Sequence, residues 1–253
     1  MDKFLSSQSD STVAARMTPW DKRALGFNAA EITELGVTDM EDGDQLLGAL
    51  EDWCVARSVH YLFGRVDASD RRCKSLLLAR GFQFVETSLV VSRSGFSKLP
   101  RIPHGMLPML RPAVAADIPA LRLIATKDFA HGRFLEDPAI ELALATARTA
   151  NWIESLVADG LAYTAEVNGQ MVGFHAERVD PVSASAELLL TGAASKYAVL
   201  ALPLWVTALQ SLAKRDVLQC STLVSAANTG VLNLYARLDF QFNRTLLGFR
   251  KFL

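Results

Sequence analysis

Cysteine and histidine are scarce in this chain of 253 residues, which contains 3 cysteines and 4 histidines. Cys54, Cys73 and Cys220 are odd in number, and no two of them have C-x-x-C spacing. Neither a disulfide framework nor a zinc site is therefore indicated. Because the histidines are also scattered along the chain, we expect no metal.

An excess of charge and a long apolar run are missing as well. The 26 basic residues are balanced by 27 acidic ones, so no broad electric field is available to attract nucleic acid or a membrane surface. No uncharged apolar run reaches the roughly 20 residues of a membrane helix. Residues 1–17 are polar and rich in serine, without the core of a signal peptide. We therefore expect a cytoplasmic protein whose first 17 residues form a disordered tail.

An internal repeat is the strongest pattern in the sequence. Residues 66–89 match residues 224–247 at a constant offset of 158 without a gap, so that Asp70 corresponds to Asn228. At one position the copies differ in chemistry, because Leu77 corresponds to Tyr235. A phenol can transfer a proton and a leucine cannot, so the repeat predicts one scaffold copy and one active copy.

A segment rich in proline, glycine and serine separates the two copies. It predicts a linker over residues 96–107, between one domain at 18–95 and another at 108–253. Residues 20–35 are interpreted as a loop that enters a strand. Hydrophobic periodicity then predicts helices at 44–58, 71–80, 200–214 and 228–238, and strands at 60–66, 82–91, 109–112, 186–191, 220–224 and 240–249.

Short polar signals place further elements in the second domain. Asp117 is a helix cap followed by Ile118-Pro119, and Asp137-Pro138 predicts the start of another helix by the same logic. Asn168-Gly169 predicts a hairpin that joins strands at 163–167 and 171–179.

The order of these elements and the end of the chain resemble the GCN5-related N-acetyltransferase (GNAT) superfamily. Its last motif is matched by Asn228, Val231, Leu234-Tyr235 and Phe240, although Asp239 stands where the motif has glycine. The resemblance implies an α/β (α+β) fold with tandem GNAT-like domains, a truncated N-terminal one and a complete C-terminal mixed-sheet acyltransferase domain.

Other segments resemble the two-domain sugar-nucleotide acyltransferases typified by dTDP-fucosamine N-acetyltransferase. They are Trp20-Asp21 with Leu25-Gly26-Phe27, Phe129 with Arg133-Phe134 and Asp137-Pro138, and Trp152-Ile153. The resemblance implies acyl transfer, with acetyl-CoA or another acyl-CoA as co-substrate and a small-molecule amine, such as a nucleotide-linked amino sugar, as acceptor.

The family's donor site implies roles for several residues. Backbone groups of Leu189, Leu190 and Thr191 would bind pantetheine as if it were another strand. Tyr235 would protonate the leaving thiolate, and Asn228 would hold the cofactor arm or cap its helix.

The loop before the long helix departs from the family. GNAT proteins place glycines there, whose backbone amides hold the diphosphate of coenzyme A at a helix start. This chain has Lys196, Tyr197, Ala198, Val199 and Ala201 in the corresponding loop. Lysine supplies charge and Ala201 is small, but a valine narrows the cradle and resists a positive φ.

On the acceptor side, Glu187 is the candidate general base, acting directly or through water. Arg133 is a candidate ligand for phosphate oxygens, with Phe134 beside it, and Arg133 could equally bridge the two domains.

Three functions remain open at this stage. The first is an N-acyltransferase of the GNAT type that uses acyl-CoA. The second is a catalytically silent GNAT-fold binding or scaffold protein with a degenerate loop. The third is an acyltransferase whose acyl donor is a carrier protein, whose phosphopantetheine needs no adenosine diphosphate cradle. The sequence leaves the assembly state open between a monomer and a homodimer.

Overall fold

A computed structural model describes residues 2–253, apart from the side chain of His104. In chain order its main elements are β1 Lys3–Gln8, β2 Ser11–Met17, α1 Pro19–Leu25, β3 Asn28–Gly36, α2 Met40–Val55, β4 Val59–Asp67, α3 Arg71–Ala79, β5 Gln83–Ser94, β6 Met109–Pro112, α4 Ile118–Lys127, α5 Arg133–Glu136, α6 Leu142–Ala158, β7 Ala162–Val167, β8 Gln170–Asp180, β9 Ser185–Ala193, α7 Ala201–Ala213, β10 Gln219–Ser225, α8 Thr229–Arg237 and β11 Gln241–Phe252. A 3-10 turn, Ser195–Leu200, leads directly into α7.

The chain forms two compact units. Unit 1 contains the residues up to Leu89 together with Gly132–Ala145 and Arg244–Leu253, and unit 2 contains Val90–His131 and Thr146–Asn243. Strand pairing decides this division, because the end of β11 pairs with β4 inside unit 1. The units therefore do not follow the boundaries predicted at 95 and 107.

Within each unit the paired strands run in mixed directions. In unit 1 the strand order is β1-β2-β3-β4-β11, followed by the start of β5. In unit 2 the end of β5 lies beside β10, and the order continues β10-β9-β8-β7-β6. The pair β3–β4 and the pair β9–β10 are parallel, while the neighbouring hairpins are antiparallel.

The internal repeat is confirmed. Helix α3 begins at 71 and α8 at 229, and β5 spans 83–94 while β11 spans 241–252, so both pairs keep the offset of 158. The caps correspond too. Asp70 accepts a hydrogen bond from the backbone N–H of Cys73, and Asn228 accepts one from Val231. The repeat extends to β1–β4 and α2, which match β7–β10 and α7 in order and pairing.

The prediction of a disordered tail is wrong. Residues 3–8 and 11–17 form the antiparallel hairpin β1–β2, and β2 pairs with β3. Burial alternates along β2, so that Val13 and Ala15 lie in the core of unit 1 and the residues between them are only partly buried. The residue types themselves do not alternate between polar and apolar, so the usual sequence signal of a half-buried strand is weak here.

Two local predictions are also corrected. Helix α1, with Pro19 in its first turn and Gly26 at its left-handed end, replaces the predicted loop. Asp137 does not start a helix, since α6 begins at Leu142. Its buried carboxylate instead accepts hydrogen bonds from the Tyr61 hydroxyl at 2.8 Å and from Arg250 at 3.1 Å, which fixes the segment in unit 1.

The hairpin at Asn168-Gly169 is confirmed, and both residues have positive φ, 51° and 74°. This is the backbone that a two-residue turn between twisted strands requires.

Within the described residues, one helix, Ser195–Ala213, is long and apolar enough to cross a membrane by length and composition alone. Core helices pass the same test, and α7 buries Leu204, Trp205, Val206 and Leu209 inside unit 2.

Candidate active site

The parallel strands β9 and β10 diverge in the middle of unit 2. Their pairing runs from Ser185 with Gln219 to Glu187 with Ser221. At the next step the Thr222 hydroxyl donates a hydrogen bond to the carbonyl of Leu188 at 2.7 Å. Beyond this point the register pairs β9 with β8 alone, so the site opens next to Leu188.

Tyr235 lies at the opening. Helix α8 carries it, and its side chain is only 3% exposed. Its ring packs against Trp205 of α7 with centroids 5.0 Å apart, and against Phe240 at 4.7 Å. The side chain of Thr222 on β10 is close enough to influence the phenol hydroxyl.

Three groups therefore meet at the divergence: the Leu188 carbonyl, the Thr222 hydroxyl and the Tyr235 phenol. The Thr222 hydroxyl donates its proton to the Leu188 carbonyl. Burial raises the pKa of Tyr235 well above its ordinary value, against a smaller opposing effect of Thr222. The phenol thus remains a proton donor at neutral pH.

The predicted diphosphate loop is a tight turn. The amide of Tyr197 donates to the carbonyl of Ala194 at 2.7 Å, and the amide of Ala201 bonds to Ala198. None of the loop residues has a positive φ, so the valine at 199 fits without backbone strain. Its side chain is 74% exposed, and the Lys196 ammonium lies 4.7 Å from the centre of the Tyr197 ring.

The start of this helix carries no acidic group. Neither the 3-10 turn nor α7 has a side-chain cap, and neither has an acidic residue in its first turn. The helix dipole therefore presents an uncompensated positive end beside Lys196, which favours an anion. Pro203 in the first turn of α7 has no amide to donate.

The other donor-site residues lie on β9 or at the start of α8. Leu189, Leu190 and Thr191 lie on the part of β9 that extends past the divergence. The Thr191 hydroxyl bonds to His175 at 2.7 Å, so its side chain is already engaged. Asn228 caps α8 through Val231 at 3.2 Å, which is the capping alternative of the sequence prediction.

Glu187 lies where β9 and β10 are still paired. Its side chain is 57% exposed and forms an ion pair with Arg178 on β8 at 2.9 Å. A carboxylate in this position is solvated and paired, so it would reach an incoming amine through water.

Arg133 and Phe134 belong to unit 1 and to a different cluster from Tyr235. The Arg133 guanidinium lies 3.7 Å from the centre of the Phe63 ring, and it forms an ion pair with Glu31 at 3.7 Å. Phe134 is 5% exposed and packs against Tyr61 and Phe63. These contacts are a cation–π pair and an aromatic cluster.

A buried polar group next to the divergence was not among the predicted site residues. The His175 imidazole bonds through Nδ1 to Thr191 and through Nε2 to Glu177 at 2.8 Å, and Arg215 bonds to the other oxygen of Glu177. His175 and Glu177 are 1% and 3% exposed. The sequence signal for this group was the pair His175 and Glu177, which lie two residues apart on β8 among small and apolar residues.

Over the described residues, no group of three or more His, Cys, Asp or Glu side chains could hold a metal ion.

No family model matches the sequence, and no curated protein matches it significantly. Several solved structures do resemble the chain. A GCN5-related N-acetyltransferase from Sphaerobacter thermophilus is 18% identical, with a TM-score of 0.67 over 95% of this chain and 76% of that one. A tandem GNAT protein from the clavulanic acid biosynthesis pathway is 14% identical, with a TM-score of 0.64 over 97% of this chain and 81% of that one.

A third likeness is to the glucosamine N-acetyltransferase region of a fungal multi-domain GH3 beta-N-acetylglucosaminidase. It is 12% identical, with a TM-score of 0.68 over 94% of this chain and 31% of that one. At these identities the likenesses establish the fold alone. The chain has the GNAT fold, and a tandem GNAT protein resembles it over 97% of its length. The predicted fold class is confirmed.

Proposed function

We propose that the protein is an N-acyltransferase that moves an acyl group, acetyl in the simplest case, from acyl-CoA to the amine of a small molecule. The observation that supports it most is the start of the helix that follows the divergent strand. In the second repeat this helix start carries no acidic group and can accept an anion, whereas in the first repeat an acidic residue caps it.

The first repeat shows what a closed helix start looks like. Asp39 caps α2 by accepting hydrogen bonds from the amides of Glu41 and Asp42, which add two acidic groups in the first turn. An anion would be repelled there. At the start of α7 no acid is present and Lys196 supplies positive charge, so a diphosphate fits there.

The residues around the divergence would then divide the chemistry. The backbone of Leu189, Leu190 and Thr191 would bind the pantetheine arm as an added strand. The amine nitrogen attacks the thioester carbonyl, the carbon–sulfur bond breaks, and Tyr235 gives its proton to the departing thiolate. Glu187 would take the amine proton through water.

One feature favours the carrier-protein donor as a second candidate. The amides of Tyr197 and Ala201 are engaged inside the turn, and Pro203 has none. Fewer backbone donors are therefore left for a diphosphate than in a glycine-rich cradle, and charge must provide more of the attraction. Phosphopantetheine on a protein would need only the strand contacts.

For the acceptor we propose an amino sugar, free or linked to a nucleotide. The likeness to a glucosamine N-acetyltransferase region supports an amino sugar. The resemblance to dTDP-fucosamine N-acetyltransferase supports a nucleotide-linked one.

Calorimetry with acetyl-CoA, CoA and acetyl-pantetheine tests the donor. We expect acetyl-CoA to bind, and Lys196→Glu to weaken its binding by about tenfold or more, because the substitution reverses the charge beside the diphosphate. Asp39→Asn, at the other helix start, is the matched control and should leave the affinity unchanged. Release of CoA thiol with glucosamine and other amines then tests the transfer.

The outcomes separate the candidates. Equal affinity for acetyl-pantetheine and acetyl-CoA would favour the carrier-protein donor. If the wild type binds none of the three, the protein is a silent member of the fold. Recovery of CoA binding in Val199→Gly would locate the defect in the loop.

A further inference from the structure

We propose that His175 is a positioning residue for the acyl transfer. Through Thr191 it positions strand β9, and through Trp205 it positions the phenol of Tyr235. Strand β9 and Tyr235 meet at the divergence. This inference rests on the proposed function. The group of His175, Glu177, Thr191, Trp205 and Tyr235 is called the polar column below.

The column is continuous within unit 2. His175 bonds to Thr191 on β9 at 2.7 Å and to Glu177 at 2.8 Å, and Arg215 holds the other oxygen of Glu177. On the side of α7, the imidazole ring lies 6.3 Å from the Trp205 ring, edge to face. Trp205 in turn packs edge to face on Tyr235 at 5.0 Å.

These contacts reach both parts of the proposed donor site. Thr191 lies on the stretch of β9 that would bind the pantetheine arm, and its side chain is fixed by the imidazole. Tyr235 is the proposed proton donor, and its ring is held by Trp205 on one side and Phe240 on the other. Rotation of the imidazole would loosen both.

The first repeat provides an internal control, because strand pairing fixes which residues correspond. His175 pairs with Thr191 next to a bulge at Ala176/Glu177. In the first repeat Val13 pairs with Leu35 next to a bulge at Ala14/Ala15. His175 therefore corresponds to Val13 and Thr191 to Leu35, and Glu177 corresponds to Ala15.

The helices give the remaining correspondences. At the offset of 158, the buried residues Leu46, Leu47, Leu50 and Cys54 of α2 match Leu204, Trp205, Ala208 and Leu212 of α7. Trp205 thus corresponds to Leu47, as Tyr235 does to Leu77. All five polar or aromatic members of the column are replaced by aliphatic residues that pack in the core of unit 1.

The same supersecondary unit is therefore built twice, once with an aliphatic column and once with a polar one. A buried carboxylate and imidazole lose their hydration, and well-packed apolar residues usually stabilise such a site as well or better. The fold does not need the polar column. We therefore attribute the column to the proposed reaction.

Four variants separate positioning from structure: His175→Met, His175→Asn, His175→Gln and the double variant His175→Met/Glu177→Leu. Asparagine can keep the bond to Thr191, whereas glutamine reaches toward Glu177 instead. With acetyl-CoA and the amine that releases thiol fastest, kcat should fall on the order of tenfold in His175→Met. KM for acetyl-CoA should change by less than about threefold, and His175→Asn should recover more of kcat than His175→Gln.

Urea unfolding of the double variant gives a readout that needs no substrate. We expect its midpoint to equal or exceed that of the wild type. A lower midpoint would show that the column is structural and would overturn the proposal, as would an unchanged kcat in His175→Met.

Failure of the proposed function has a different signature. In that case the wild type itself neither binds acetyl-CoA nor releases thiol, and the role of His175 falls with the reaction. If the wild type is active and the His175 variants have the same kcat as the wild type, the proposed function stands and this inference alone fails.

Discussion

The two repeats have the same order of strands and helices and differ in what they bury. The first repeat places Val13, Leu47 and Leu77 in an aliphatic core and closes the start of α2 with Asp39. The second places His175, Trp205 and Tyr235 at the corresponding positions and leaves the start of α7 without an acidic cap. Because the scaffold is shared, the differences mark the residues that packing alone does not require.

Removal of the phenol hydroxyl should give the largest effect. Tyr235→Phe keeps the ring between Trp205 and Phe240 and removes the proposed proton donor. We expect kcat for thiol release to fall about 100-fold, the lower range for general acid catalysis, with little change in acetyl-CoA affinity. Steady-state kinetics and calorimetry measure the two effects. Unchanged turnover would remove Tyr235 from the mechanism.

The reverse change should fail in the first repeat. In Leu77→Tyr the hydroxyl would be buried in the core of unit 1, where Gly64 stands at the position that corresponds to Thr222 and offers no side-chain hydroxyl. Overpacking and an unsatisfied hydroxyl should together lower the free energy of unfolding by about 2–4 kcal/mol. Urea denaturation measures this loss.

A partner cannot be supplied for that hydroxyl. A Cβ at Gly64 would lie 2.7 Å from the Cβ of Ile32, so adding Gly64→Thr should destabilise Leu77→Tyr further. A double variant more stable than the single one would show that the two repeats are interchangeable at this position.

The helix starts should differ by a smaller amount. Asp39→Ala removes the cap of α2 and should cost about 1 kcal/mol. Lys196→Ala, before the uncapped α7, should leave thermal stability unchanged while it weakens CoA binding. Equal stability losses in the two variants, measured by thermal unfolding, would contradict the assignment of one start to structure and the other to a ligand.

The smallest expected effect is on the pH dependence of the unfolding free energy. Burial alone raises the pKa of Glu177, but the bonds and charges of His175 and Arg215 outweigh it, so its pKa lies below the ordinary value. A depressed carboxyl pKa stabilises the fold above the unfolded pKa of about 4.3, and this stabilisation is lost as the pH falls toward the folded pKa. Unfolding free energies from pH 7 to pH 3 should therefore fall less steeply in His175→Met/Glu177→Leu.

Several local features could be predicted because their causes are local. The cap at Asn228, the turn at Asn168-Gly169 and the spacing of α3 and α8 follow from hydrogen bonds and dihedrals within a few residues. The hairpin at residues 3–17 was missed because its alternation is weak, and only its pairing with β3 gives it a core to cover.

The site was predictable only in part. Tyr235 was found because the repeat exposed it as the odd member. Thr222 and His175 were not predicted as site residues, since their significance depends on which strand they face. Thr222 is recognised by its bond to Leu188 at the point where two strands separate, and that point is not encoded by any short motif.

The sequence by itself determined the repeated helix–strand unit, the cap at Asn228 and the one phenol that distinguishes the copies, because these depend on periodicity and local hydrogen bonding. The tertiary structure decided which strand completes which unit, that the loop at 195–200 is a tight turn without positive φ, and that a polar column in one copy is an aliphatic core in the other. Those features arise from pairing between residues far apart in the chain, whose register is fixed only when both partners are folded.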